Sequence, residues 1–174
     1  MAPRSSSTSP KILILVRHAH RNKTGGPSAD NGLSTKGKRQ ARRLAAYFRR
    51  RFGKKKKAIV LSSPKLRCLE TVIPLARAAK TPVEVEPRLN EMGGNGKESS
   101  RQFGERITEF ARWWREEAPP FVVACSHGDW IPEALAELTG ASLDLKKGGW
   151  AEVVLEDGKP RLVWLMQDFA AVEK

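Results

Sequence analysis

The sequence predicts an α/β domain, a three-layer αβα sandwich whose mainly parallel central sheet carries helices on both faces. Three observations carry that prediction. Residues 11–16 (KILILV) and 121–125 (FVVAC) are short, continuous apolar runs, as strands covered on both faces tend to be. The segments between them place apolar residues at helical spacing. Each apolar run also ends in a polar cluster with a helical pattern beyond it, and strands alternating with helices favour a parallel sheet.

In chain order, residues 1–10 are rich in Ser, Thr and Pro and are expected to be a disordered tail before a single domain over 11–174. After the first strand, residues 17–32 form a polar loop containing Gly25, Gly26 and Pro27. Ser34 or Thr35 can cap a helix that runs to about Phe52 and closes near Gly53; Ala41, Leu44, Ala45, Phe48 and Phe52 keep to one face. Residues 57–61 are the second strand. Ser62-Ser63-Pro64 then offers a cap and a first-turn proline, so a helix is expected to start there, with Pro74 as its kink or end. A short third strand at 82–86 leads into a Gly-rich loop. Ser99 or Ser100 opens a helix bearing Phe103, Ile107, Phe110 and Trp114 at spacings of 4, 3 and 4. The strand at 121–125 is followed by a helix ending at Gly140. Residues 151–155 and 161–166 around Asp157-Gly158 read as a hairpin.

The formal charge of +13 suggests a nucleic-acid binder until it is located. From Lys36 to Lys57 there are 12 Lys or Arg and no Asp or Glu, whereas the rest of the chain is almost balanced. The excess is therefore local. It reads either as a solvated helix face or as a landing surface for an acidic partner, and nucleic acid is disfavoured as the partner. Residues 54–57 precede a strand, at the end of the sheet opposite the strand carboxyl ends. Cys68 and Cys125 lie inside apolar segments, which predicts buried thiols rather than a disulfide and a reducing, cytoplasmic setting. No apolar run approaches the length of a membrane span or a secretory leader.

In open α/β sheets, ligands bind beyond the carboxyl ends of strands, where helix N-termini favour anions. Arg17 and His18 follow the first strand, Arg67 stands in the first turn after the second, Glu91 follows the third, and His127 follows the fourth. Two arginines, two histidines and a carboxylate suit phosphoryl transfer to an imidazole. Arginine presents a rigid fork to phosphate oxygens, neutral histidine is a nucleophile near neutral pH, and a carboxylic acid can protonate the departing oxygen.

These residues sit in recognisable motifs. Arg17-His18-Ala19 resembles the Arg-His-Gly signature of the histidine phosphatase (phosphoglycerate mutase-like) superfamily. Residues 33–41 resemble its LT-x-x-G-x-x-QA helix start, and residues 62–71 its SSP-x-x-R-x-x-x-T segment. Leu89-Asn90-Glu91, Phe103 with Arg106, and Ser126-His127-Gly128 complete the ordered set. The resemblance implies that His18 becomes a phosphohistidine, that Arg17, Arg67, His127 and Arg21 bind the phosphoryl group, and that Glu91 is the proton donor. It implies no metal and no cofactor. Ala19 departs from the usual glycine, and His20-Arg21-Asn22 does not align cleanly with the residues that usually follow the signature. Asp129 is a second acid near His127, but its spacing differs from the superfamily branch that places a donor directly after that histidine.

Trp113, Trp114 and Phe110 are expected to pack the core, Trp130 to line the substrate entrance, and His20 to stand at the pocket rim. Little chain remains for a lid of the mutase kind, so an open phosphatase similar to the small SixA-type phosphohistidine phosphatases is expected. Its substrate would be a phosphorylated small molecule or phosphoprotein, with no membrane partner. The alternative is a catalytically silent module binding acidic partners or nucleic acid through residues 36–57.

Overall fold

A computed structural model describes residues 10–26, 29–53 and 57–169. The proposed tail over 1–9, Pro27 of the polar loop, and Lys54, Lys55 and Lys56 of the basic run lie outside them. The described elements are β1 (Lys11–Arg17), α1 (Thr35–Phe52), β2 (Ile59–Ser62), α2 (Leu66–Ala79), β3 (Val83–Val85), α3 (Ser100–Glu116), β4 (Phe121–Ser126), α4 (Trp130–Thr139), β5 (Trp150–Glu156) and β6 (Lys159–Met166). A 3₁₀ turn, Pro87–Leu89, stands between β3 and the Gly-rich loop.

The six strands form one sheet in the order β3-β2-β4-β1-β5-β6. The first four are mutually parallel; β5 runs antiparallel to β1, and β6 antiparallel to β5. Alternation along β1 divides the core between the layers. Leu13 and Leu15 pack with Phe110 and Trp114 of α3 and Leu135 of α4, whereas Ile14 and Val16 pack with Leu44 and Phe48 of α1 and Val72 and Leu75 of α2. Trp114 and Phe110 are fully buried, and Trp113 packs partly buried against them. Helices therefore cover both faces of the sheet.

Ser34 caps α1, accepting from the Gly37 amide at 3.1 Å, and Gly53 ends it at φ 68°. Ser99 and Gln102 form a reciprocal capping box at the start of α3. The hairpin turns through Asp157 and Gly158 with φ of 51° and 74°, the two positive values a primed two-residue turn needs.

Helix α2 departs from expectation at both marks. It begins at Leu66 rather than at Ser63-Pro64, and the N-cap residue Lys65 makes no side-chain cap bond. The cap comes from elsewhere: Asp30 accepts from the Leu66 amide at 3.0 and 3.2 Å. Pro74 neither ends nor visibly interrupts the helix, which continues to Ala79. Buried Val72, Leu75 and Ala76 on either side hold the helix to the sheet, and this packing outweighs a missing amide donor.

Candidate active site

The carboxyl ends of β1, β2 and β4 and the N-termini of α2 and α4 surround an open cleft of about 330 Å³. All six residues selected from the sequence line it: Arg17, His18, Arg21, Arg67, Glu91 and His127. Gly128, Asp129 and Lys147 complete its wall.

His18 is buried, with 7% of its surface exposed. Its Nδ1 lies 2.8 Å from the Ala19 carbonyl, which can only accept, so Nδ1 carries the proton. The lone pair of the neutral ring is thereby placed on Nε2. Burial, reinforced by the charges of Arg67, Arg17 and Lys147 and opposed by the Ala19 bond, pushes the His18 pKa down to about 4. The imidazole is neutral at physiological pH, as a nucleophile must be.

His127 faces His18 with ring centroids 5.4 Å apart. Arg67 Nη2 donates to His127 Nδ1 at 3.2 Å, so the proton of the neutral ring sits on Nε2. That Nε2–H donates to Ser63 Oγ at 2.8 Å, and Ser63 Oγ in turn donates to Asn90 Oδ1 at 3.3 Å. This relay explains the pair of serines before Pro64: Ser63 orients the second histidine rather than capping a helix. Burial, then the charges of Arg67 and His18, pushes the His127 pKa down to about 2.

Glu91 Oε2 pairs with Arg67 Nη2 at 2.6 Å and lies 3.7 Å from His127 Nδ1. The loop that carries it is held by Arg106, whose Nη1 donates to the Arg88 and Asn90 carbonyls at 2.6 and 2.9 Å. Arg106 is itself anchored by two 2.9 Å bonds to Glu98. Asp129, the competing acid, is committed to its own surroundings. Its Oδ1 accepts from the Trp130 amide at 2.9 Å at the start of α4, and its Oδ2 from the Met92 amide at 2.8 Å. Trp130 does not line the entrance. It is fully buried against Phe110, and its indole N–H donates to the Arg88 carbonyl at 2.7 Å. The first turn of α4 aims it into the core, where it helps hold the Glu91 loop.

The loop after β1 is built just as tightly. Ala19 is fully buried among Leu33 and Ala41, and its amide donates to Thr71 Oγ1 at 2.9 Å. The extra methyl therefore belongs to a small apolar cluster. A side chain at Gly37 would strike the His20 carbonyl, so α1 can approach this loop only with glycine there. Gln40 Oε1 then accepts from the His20 amide at 2.9 Å, and Gln40 Nε2 donates to the Lys147 carbonyl at 2.9 Å. The His20 ring rests on Ser34 Oγ at 2.8 Å. It lines a neighbouring cleft rather than this one.

Lys147 went unrecognised in the sequence. The Gly148 amide donates to the Arg17 and His18 carbonyls at 3.1 and 3.2 Å, which ties the 146–149 loop to the end of β1. Partial burial, then the charges of Arg17, Lys23, Arg21 and Arg67, lowers the Lys147 pKa. The Arg17 guanidinium lies flat on Gly128: a Cβ there would stand 2.5 Å from Arg17 Cζ. Arg17 Nη1 donates to the Leu145 carbonyl at 2.6 Å, while its Nε has no hydrogen-bond partner among the described residues. The cleft is thus a concentration of cations, open to an anion. Among the described residues, no group of three or more His, Cys, Asp or Glu side chains could hold a metal ion. No described helix is long and apolar enough to cross a membrane. Cys68 and Cys125 are buried free thiols, and burial pushes the Cys125 thiol up.

A family model described as "Histidine phosphatase superfamily (branch 1)" matches residues 13–97. No curated protein sequence matches the chain. Solved structures share its fold. The protein histidine phosphatase SixA, complexed with tungstate, is 22% identical with a TM-score of 0.72, over 90% of this chain and 96% of its own. A mutant phosphoserine phosphatase from Entamoeba histolytica, in complex with phosphoserine, is 18% identical with a TM-score of 0.70, over 92% and 98%. The mycobacterial glucosyl-3-phosphoglycerate phosphatase is 19% identical with a TM-score of 0.69, over 89% and 98%.

Proposed function

We propose that this chain, which belongs to the histidine phosphatase superfamily, hydrolyses phosphomonoesters or protein phosphohistidine without a metal, through a phosphohistidine on His18. The observation that carries this reading is the state of His18: a buried, neutral ring with its proton held on Nδ1 by Ala19, in a cleft shared with Arg17, Arg21, Arg67 and His127.

In the first step, Nε2 of His18 attacks phosphorus and the bond to the leaving oxygen breaks. Charge on the equatorial oxygens is met by the Arg17 and Arg67 guanidinium groups, with Arg21 and His127 at the edges. An incoming phosphate takes Arg67 away from Glu91. The Glu91 carboxyl, in its protonated form, then stands beside the phosphoryl group and gives its proton to the departing oxygen. His127 changes role in the same event. Once phosphate claims Arg67, its cleft-facing Nδ1 can take up a proton and donate, because two negative charges offset the cations that had added to burial in keeping the ring neutral. In the second step, Glu91 as carboxylate accepts a proton from water. The water oxygen bonds to phosphorus, the Nε2–P bond breaks, and inorganic phosphate leaves.

Hydrolysis rather than mutase chemistry is supported by the shortness of the cover. Only the loop after the Pro87–Leu89 turn and helix α3 separate Glu91 from β4, and the cleft stays open to water. A cytoplasmic setting is part of this reading, supported by two buried thiols that remain unpaired. The test is turnover of an aryl phosphate in EDTA by the parent and by His18→Ala, with acid-labile phosphate trapped on the protein. Turnover lost with His18 and a trapped phosphohistidine support the assignment. A folded protein that neither turns over nor traps phosphate across phosphorylated candidates would overturn it in favour of a binding module.

A further inference from the structure

Beside the His18 cleft lies a second one of about 490 Å³, and the two share Lys147. Its wall carries five cations, Lys36, Arg39 and Arg43 of α1 with Lys146 and Lys147 of the loop before β5. Asp168 is the one carboxylate among the described residues that line it. Lys36, Arg39 and Arg43 fall at i, i+3 and i+7, so they form one stripe on α1. Gln40 lies on the same stripe, and its 2.9 Å bond to the Lys147 carbonyl sets that stripe against the loop. Lys36 and Arg39 are exposed to solvent. The field is also felt by His20, which lines this cleft: burial and then the charges of Lys147, Lys36 and Lys23 lower its pKa.

We propose that this cleft holds a second phosphate group of the substrate, so that the preferred substrates are small molecules carrying two phosphates, one placed at His18 and the other among Lys36, Arg39 and Lys146. The inference rests on the phosphatase reading of the His18 site and extends it to substrate class. The size of the cleft matches small-molecule sites, which commonly measure about 300–1,000 Å³. Its wall is cationic rather than apolar, so charge and not a hydrophobic group is what it recognises. The basic segment thereby divides. Its amino-terminal part serves the site, while Lys57 lies at the amino ends of β2 and β4, beside Ala58 and Pro120.

The spacing between the two phosphates is tested with mono- and bisphosphates of ethanediol, butanediol and hexanediol. The parent is expected to prefer the bisphosphate of one spacer over its monophosphate about tenfold in kcat/KM, and Lys36→Gln/Arg39→Gln is expected to abolish that preference. The ratio is read rather than the rate, because removing two charges slows the approach of every anion. Calorimetry with His18→Ala supplies the second readout. Its tighter binding of the bisphosphate should disappear when Lys36 and Arg39 are also replaced. If monophosphates are turned over through His18 but no bisphosphate is preferred, the second-phosphate site is overturned and the catalytic reading stands. If no phosphate is turned over yet His18→Ala still binds the bisphosphate through Lys36 and Arg39, the cleft stands and the catalytic reading falls. An advantage seen only with acidic phosphopeptides overturns the small-molecule assignment.

Discussion

Arg67 Nη2 and Glu91 Oε2 stand 2.6 Å apart, so the cation that should receive a phosphate oxygen is already held by the carboxylate that should release the leaving group. Phosphate and Glu91 compete for one guanidinium. Glu91→Gln is therefore expected to bind inorganic phosphate more tightly while losing catalysis. The loss should be about 10²–10⁴-fold for an alkyl phosphate, whose leaving oxygen needs a proton, and smaller for an aryl phosphate, whose oxygen does not. Phosphate inhibition constants and a series of leaving groups measure both. An equal loss along the series would mean that Glu91 is not the donor.

Asp129 gives a contrasting expectation. Both its oxygens are engaged, by the Trp130 and Met92 amides, and Asn keeps an acceptor for one of them. Asp129→Asn should retain the parent's dependence on leaving group. Asp129→Ala, which removes the cap of α4, should cost about 1 kcal/mol of stability in urea unfolding. A leaving-group slope that steepens in Asp129→Asn would make Asp129 the acid.

Arg106 does not line the His18 cleft; it grips the Arg88 and Asn90 carbonyls of the loop that carries Glu91. Arg106→Lys cannot reproduce a guanidinium bonded at once to Glu98 and to the Arg88, Asn90 and Glu91 carbonyls. The expected outcome is a fall in kcat of about tenfold or more with phosphate affinity unchanged, because placement of the acid suffers and the anion site does not. A matching loss of phosphate affinity would count against a positioning role.

The buried histidines set an acid limit on stability. The folded His18 titrates at about 4, depressed mainly by burial, against 6.5 for the ordinary ring. Between these values the unfolded chain binds the extra proton, so stability is full above about 6.5 and declines as pH falls through the folded value. For this one group the decline is on the order of 3 kcal/mol. His127 adds a decline of the same sign that reaches further into acid. Ring-nitrogen NMR should show His18 neutral and protonated on Nδ1 at pH 5.5 without phosphate. A His18 that titrates near 6.5 would contradict the burial argument.

How much of this could be read in the sequence follows from geometry. Arg17, His18, Arg67 and His127 were legible because parallel strands deliver their carboxyl ends, and the following helices their N-termini, to one edge of the sheet. Lys147 was not, because β5 runs antiparallel to β1 and brings its beginning to that edge. The cap of α2 was misplaced for a different reason: Asp30, remote in sequence, supplies it and releases Ser63 for His127. Proximity along the chain misled at Trp130. It follows His127 closely, yet the first turn of α4 rotates it into the core.

Gly128 offers the sharpest separation of site from scaffold. Nothing about its backbone requires glycine, since its φ is not among the positive values. What requires it is the Arg17 guanidinium, which a Cβ would meet at 2.5 Å from Cζ. Arg17 cannot retreat freely, because Nη1 is tied to the Leu145 carbonyl and the strand behind it is paired on both sides. Gly128→Ala should therefore cost only about 1 kcal/mol of stability, the Arg17–Leu145 bond it strains, since the added methyl lies at a partly exposed cleft wall, while weakening phosphate binding about tenfold by turning the Arg17 fork. Gly128→Ala combined with Arg17→Ala should be no worse than Arg17→Ala alone, because both changes remove the same interaction. Additive losses in that cycle would show that Gly128 acts on phosphate by some route other than Arg17.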